Sequence, residues 1–288
     1  MEKRWIYAVS PRCLVISTIT TQSRIERFCR SAKFLPRYVQ QLRSNFDLSL
    51  IRWTYSHAAE LALELGHKGE AEKWNTILKE WPDYAVDKNG LMFSPNQPFN
   101  ESHRHFSHLM AIHPLGLIDP ANGSKDQEII AKTIANLDAI GSNQWVGYSF
   151  SWLGNVKARA NDGEGAAQAL RDFATSFVLP NSFHVNGEQH NKGYSKFKYR
   201  PFTLEGNFAF AAAIQEMLIQ SHTGMIQIFP AIPASWETVS FDSLRTEGAF
   251  LVSANKEKGE ITQIKIKSEK GEVIKLKNHF IKFTKRKD

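Results

Sequence analysis

From Asn45 onward, apolar residues recur at helical spacing. Leu48, Ile51, Trp53, Tyr55, Ala58, Ala59, Leu61, Ala62 and Leu65 follow this pattern, and Gly66 is placed to end the run. Residues 70–81 repeat it, with Ala71, Trp74, Ile77, Leu78 and Trp81 on one side and Pro82 as the stop. The short join His67-Lys68-Gly69 makes the pair an αα-hairpin. The spacing predicts further helices over residues 103–112, 126–137, 145–160, 164–177 and 206–220. Ser102 would cap the first of these, Pro114 follows its end, and Asp162-Gly163 supplies a later turn. Repeated helix pairs with short turns and no fixed period predict an α/α toroid rather than a solenoid.

After His222 the period shifts toward two. Met225-Ile226-Gln227-Ile228-Phe229 alternates as a strand should, and residues 249–254, 260–267 and 272–277 read as further strands separated by Lys258-Gly259 and Lys270-Gly271. The fold class is therefore mainly α, with a small C-terminal β-domain. Residues 1–44 show no clean periodicity beyond a short helix capped within Thr20-Thr21-Gln22-Ser23 and running through Arg30. They are left unassigned, as non-native or disordered sequence. Residues 45–223 form the helical part and 224–288 the β-domain with its Lys-rich tail.

The net charge of +7 would point to nucleic acid if it formed a patch. Instead, residues 256–288 carry eleven Lys and Arg against five Asp and Glu, interleaved with β-formers. A solvated strand face with lysines guarding its edge accounts for that, and a nucleic-acid partner is not expected. Cys13 and Cys29 are the two cysteines, too few for a disulfide framework or a thiolate zinc site. The apolar stretch 5–20 is broken by Pro11-Arg12, which leaves it short of a membrane span and a poor export signal.

Chemistry concentrates in two places. Residues 101–114 hold four of the ten histidines together with Glu101 and Arg104. On the expected helix His105, His108 and Ile112 share a stripe with Arg104 at its edge. Three readings stay open for this stretch: a metal site, a buried hydrogen-bond network, and a polar pocket lined by Arg and His. His103 and His105 would diverge by about 200° on a helix, and no third ligand stands at a zinc spacing, so no metal or other cofactor is expected. The second cluster is Phe202-Thr203-Leu204-Glu205-Gly206-Asn207-Phe208. Its carboxylate would suit a helix N-terminus. Glu101 and Glu205 together would supply the two carboxylates that glycoside hydrolysis requires.

The phrases His103-Arg104-His105-Phe106-Ser107-His108-Leu109, Gly147-Tyr148-Ser149-Phe150-Ser151-Trp152 and Ala158-Arg159-Ala160-Asn161-Asp162-Gly163 resemble glycoside hydrolase family 95. So do Glu205-Gly206-Asn207-Phe208, residues 215–222, and Phe229-Pro230-Ala231-Ile232-Pro233-Ala234-Ser235-Trp236. The family comprises 1,2-α-L-fucosidases and related α-L-galactosidases. The resemblance implies the later part of an (α/α)6 barrel followed by a β-domain. It also implies metal-free, inverting hydrolysis of a terminal L-fucose-type sugar on an oligosaccharide, and a protein acting outside the cytoplasm.

Carried over by motif, Glu205 stands where the family has a water-activating aspartate, one methylene shorter. The family's general acid falls in the region Gly90-Leu91-Met92-Phe93-Ser94-Pro95, which has no carboxylate here; Glu101 is the nearest substitute. His103, Arg104, His105, His108, Asn207 and Trp152 are expected to contact substrate. These departures predict a divergent branch of the family. Since nothing before Asn45 resembles its N-terminal domain, the chain reads as a C-terminal fragment that self-associates through exposed barrel faces.

Overall fold

The computed structural model describes residues 44–271 and 276–277. The short helix expected through Arg30 lies outside them, as does most of the strand expected over 272–277. The described residues fall into two compact units. The first comprises 44–87, Leu91–Phe99 and Ser107–Leu117; the second comprises Lys88–Gly90, Asn100–Phe106 and the chain from Ile118 onward.

The first unit is built on a helix hairpin. Helix α1 (Asn45–Glu64) starts at Ser44, whose side-chain oxygen accepts from the Asp47 N–H at 3.1 Å. Helix α2 is Lys68–Glu80. Tyr55, Ala59 and Ala62 on α1 pack against Ala71 and Trp74 on α2, the Tyr55 and Trp74 rings 5.1 Å apart. Small residues facing an aromatic pair let the helices meet without a void.

Asn45 ties the start of α1 to the chain beyond α2. Fully buried, it donates through Nδ2 to the Ala85 carbonyl at 2.8 Å and the Met92 carbonyl at 2.7 Å, and its Oδ1 accepts from the Ala85 N–H at 2.9 Å. The amide thus stands in for a neighbouring backbone, answering groups that burial would otherwise leave unpaired.

In the second unit, helix α3 (Ser124–Ile140) is followed by α4 (Gly147–Arg159), α5 (Gly163–Ser176) and α6 (Glu205–Leu218), and the last three share a core. Asp162 caps α5 by accepting from the Gly165 N–H at 2.8 Å. Helices α4 and α6 approach closely. Ala158, Ala166, Leu170, Ala213 and Met217 are buried together, and a Cβ on Gly154 would lie 2.8 Å from a Leu170 methyl on α5 and 3.5 Å from the Ala213 Cβ on α6. Backbone approach is sealed by side chains: Ser151 Oγ donates to the Gly206 carbonyl at 3.1 Å and Asn155 Nδ2 to the Ala209 carbonyl at 2.9 Å. At the other end of α4, Arg159 makes a bidentate pair with Glu216, at 2.6 and 2.7 Å.

Two short strands, β1 (Val86–Asp87) and β2 (Gly90–Leu91), precede α3, and beyond α6 the chain turns to strands again. β3 (Ile219–Gln220) pairs antiparallel with β4 (Ile226–Ile228), and β4 pairs parallel with β8 (Leu276–Lys277). β5 (Val239–Thr246), β6 (Phe250–Glu257) and β7 (Glu260–Ser268) form an antiparallel meander. Phe250, Val252 and Ala254 alternate inward to join Ile219, Ile226, Ile228 and Phe241. On β7, Lys265 and Lys267 point outward between half-buried Ile264 and Ile266, so the lysines guard an edge strand. The fold is mainly α, a succession of helices with a small, mostly antiparallel β-domain after them.

Two sequence expectations need correction. No α-helix spans 103–112: residues 101–106 are irregular, and only Ser107–Ala111 forms a 3-10 turn. The His105 N–H is taken by Nδ1 of His103 at 3.1 Å and the Arg104 carbonyl by Ser149 Oγ at 2.8 Å, so neither enters a helical ladder. Strand β5 was not expected. A register shift between Phe241 and Leu244, with Ser243 at φ 55°, breaks the alternation that would have marked it.

Replacing Asn45 with Ala is expected to lower the unfolding free energy by about 1–3 kcal/mol, because half-buried groups at Ala85 and Met92 lose their partner. Urea unfolding of wild type and variant measures this; an unchanged midpoint would remove Asn45 from the framework.

Candidate active site

The second unit gathers the candidate chemistry at the N-terminal ends of α4 and α6. Glu205 opens α6, exposed to solvent in its first turn, where the helix dipole favours a negative charge. Tyr148, the second residue of α4, lies within its field. Burial and the Glu205 charge both push the Tyr148 hydroxyl above the usual phenol range. An aromatic wall continues from it: Tyr148 and Trp152 lie 6.2 Å apart, and Trp152 stacks on buried Phe106 at 4.9 Å.

Between the two helix ends sits His184, which no periodic signal marks in the sequence. It is fully buried, and its Nδ1 lies 2.7 Å from the Thr203 carbonyl and 2.8 Å from the Thr203 hydroxyl oxygen. The hydroxyl itself donates to Asn186 Oδ1 at 3.0 Å, so the pattern assigns Nδ1 as the protonated nitrogen. Nε2 has no hydrogen-bond partner among the described residues. Burial lowers the imidazole pKa below its usual value, against the opposing pull of the Thr203 carbonyl and Glu205. The ring is a neutral wedge.

Asn207 serves the same corner. Its Oδ1 accepts from the His184 N–H at 3.0 Å and its Nδ2 donates to the Ser182 carbonyl at 2.8 Å. Both ends of the amide are spent on the backbone of a loop, which makes Asn207 a clamp on the start of α6. Glu188 organises the next loop: buried, it accepts from the backbone N–H groups of Lys192, Gly193 and Ser195 and from Lys198 Nζ. Burial alone would raise its pKa; those donors outweigh it and hold the carboxyl below the ordinary range.

Glu101, His103, Arg104 and His105 all lie on the exposed loop before Phe106. The loop is anchored by Ser102, whose Oγ donates to the Gly141 carbonyl at 2.8 Å and accepts from the Gln144 N–H at 3.0 Å. Arg104 Nε points at His105 Nε2, 3.1 Å away. Partial burial, then the charges of Arg104 and His103, lower the His105 pKa. Among the described residues no three His, Cys, Asp or Glu side chains are grouped to hold a metal ion.

His108 departs from the expected set. It belongs to the first unit, is 1% exposed, and packs against Phe93 at 4.9 Å and Phe99 at 4.7 Å. A ring enclosed by two phenylalanines is core, not sugar contact. The stripe of His105, His108 and Ile112 does not form, because the helix that would carry it is absent.

Residues 36–218 match the Glycosyl hydrolase family 95 catalytic domain, and residues 220–287 match the Glycoside hydrolase family 95, C-terminal domain. The chain belongs to glycoside hydrolase family 95. Alpha-L-fucosidase 2 of Arabidopsis thaliana is 25% identical over 232 residues, covering 78% of this chain and 27% of its own length. Probable alpha-fucosidase A of Aspergillus niger is 26% identical over 167 residues, 54% of this chain and 20% of its own. The chain thus spans about a quarter of the length of the curated relatives it matches. The family 95 catalytic match begins at residue 36, inside the stretch that periodicity left unassigned. Among the described residues no helix is long and apolar enough to cross a membrane.

Burial lowers the His108 pKa from 6.5 to about 3. Below pH 6.5 the unfolded chain therefore binds a proton that the folded chain refuses. Stability contributed by neutral His108 is complete above that value and declines as pH falls toward 3. The expected slope is about 1.4 kcal/mol per pH unit. Denaturant unfolding of wild type and His108→Leu across this range should show a shallower slope in the variant; parallel slopes would place the uncharged ring in doubt.

Proposed function

We propose that this chain carries part of the catalytic machinery of an inverting, α-L-fucosidase-type glycoside hydrolase acting on terminal L-fucose or L-galactose residues of oligosaccharides. The observation that carries the reading is Glu205, a solvent-facing carboxylate at the start of α6, beside Tyr148 and the aromatic wall that includes Trp152. Aromatic faces suit the C–H surface of a sugar ring, and an exposed carboxylate has room for a water. The names of the two relatives support the same direction.

In this reading Glu205 takes the proton from the attacking water as its oxygen bonds to the anomeric carbon. Glu101 donates its proton to the departing glycosidic oxygen. His103, Arg104, His105 and Trp152 are the substrate-side residues, Asn207 supports them by holding the loop at the start of α6, and His108 drops out as core. Residues 45–223 serve as the later part of the barrel and 224–288 as its β-domain. Leu204 and Phe208, at 37% and 66% exposure near the start of α6, with the adjacent Phe183–Phe202 pair, support self-association.

One observation favours a second reading, a catalytically inactive carbohydrate-binding or structural fragment. The segment 90–95, where the family's acid would stand, holds no carboxylate. Hydrolysis of fucosylated and galactosylated glycans by wild type, Glu101→Gln and Glu205→Gln separates the two. The hydrolase reading expects turnover in wild type and a loss of about 100-fold or more in kcat for each variant. Equal rates in all three would sink the two-carboxylate assignment, and sugar binding without turnover would support the second reading.

A further inference from the structure

We infer that His184 is a positioning residue, a spacer lodged between the N-termini of α4 and α6 that sets the separation of Tyr148 from Glu205. Two glycines make the case. A Cβ added to Gly147 would lie 2.2 Å from His184 Nε2, and one added to Gly206 would lie 2.3 Å from Nδ1. Any side chain larger than hydrogen at either position would enter the ring's own volume. The imidazole is therefore in contact with the backbone of both helix starts, and neither helix can close on the other without displacing it.

The chain neighbours of those glycines are Tyr148 and Glu205. The phenol and the carboxylate each hang from the residue next to one that touches the spacer. A shift of the ring by a few tenths of an ångström would move one relative to the other.

The ring has little freedom to shift. The His184 backbone N–H donates to Asn207 Oδ1 at 3.0 Å and its carbonyl accepts from the Thr203 N–H at 3.3 Å, while the ring Nδ1 is held by Thr203. The segment that bears it is pinned on both sides. The Gly147 N–H donates to the Asn186 carbonyl at 3.0 Å, and the Val185 N–H donates to the Phe177 carbonyl at 2.9 Å. Phe173 closes the contact from α5, its ring 5.0 Å from the imidazole. Among the described residues the charge acting on this ring is Glu205 from α6, Tyr148 of α4 follows Gly147, which the ring touches, and α5 presents Phe173. A packing residue with no other task could have been leucine. A polar ring leaving one buried nitrogen unpaired costs stability, and geometry at the helix ends is what it provides in exchange.

The inference rests on Glu205 being the working carboxylate, but its test needs no turnover, so failure of the hydrolase reading would leave the measurement standing. Tyr148 in 13C-tyrosine-labelled protein is titrated by NMR, with and without Glu205→Gln, in wild type, His184→Asn and Gly206→Ala backgrounds. In wild type the Glu205→Gln change should bring the Tyr148 titration to lower pH. In His184→Asn, which loses ring width, and in Gly206→Ala, which forces the ring outward, that drop should shrink to about half or less, because charge coupling weakens with distance and with water entry. The double change His184→Asn with Gly206→Ala, where the new methyl refills vacated space, should recover part of it. A drop as large as in wild type in both single backgrounds would overturn the spacer. So would failure of both backgrounds to fold, since the ring would then be needed for the fold rather than for the spacing.

Discussion

The second unit depends on the close approach of α4 and α6. Gly154, Ala158 and Ala213 strip the interface to small groups, and Ser151 and Asn155 then bond across it to the backbone of α6. Arg159 and Glu216 lock the far end. That pair is 7% and 18% exposed, so much of its Coulomb gain is offset by lost hydration. Its bidentate form restricts rotation and sliding of one helix on the other. Sliding matters because the opposite ends of these helices present Tyr148 and Glu205. A slip of one residue along an α-helix is about 1.5 Å, as large as the difference between an aspartate and a glutamate reach.

A second polar pair works on the same framework. Asp119 accepts from His222 Nε2 at 2.6 Å, and its Oδ1 accepts the Ala121 N–H at 2.8 Å. Burial opposes ionisation of Asp119, yet these donors and the Arg159 charge bring its pKa below the ordinary value. Gln220 adds bonds to the Ala158 and Glu216 carbonyls at 2.9 and 3.0 Å. Polar residues here join the helices to the chain entering the β-domain, a task that apolar packing alone would leave degenerate in register.

Elements governed by periodicity were legible in the sequence. The stripes through Leu48 to Leu65 and Ala71 to Trp81 correspond to α1 and α2, and β6 shows the alternation read from residues 249–254. Elements governed by tertiary capture were not. The 101–106 loop is bent by a His103 ring nitrogen and a distant serine, and neither effect leaves a trace in local spacing. His184 lies in a stretch with no period at all, so its burial between two glycines becomes visible only when both helix starts are placed. Glu205 was legible as a helix-opening carboxylate, whereas the exposure that qualifies it for chemistry was not.

The histidine-rich segment shows why family likeness and activity need separate arguments. His108, Arg159, Glu216, Gln220 and His222 all fall within phrases that resemble family 95, and each is occupied in packing or pairing. Residues of this kind hold the fold whether or not turnover survives, and membership rests on the match over residues 36–218 and 220–287. Asn207 and Gly206 belong with them, since one clamps a loop and the other admits the His184 ring. The motif Glu205-Gly206-Asn207 therefore divides by position: its second and third residues hold the backbone, and its first projects into solvent. In the proposed hydrolase reading, chemistry rests on that first residue. With its neighbours committed to structure, changing Glu205 alone alters the proposed reacting group while the surrounding geometry stays in place.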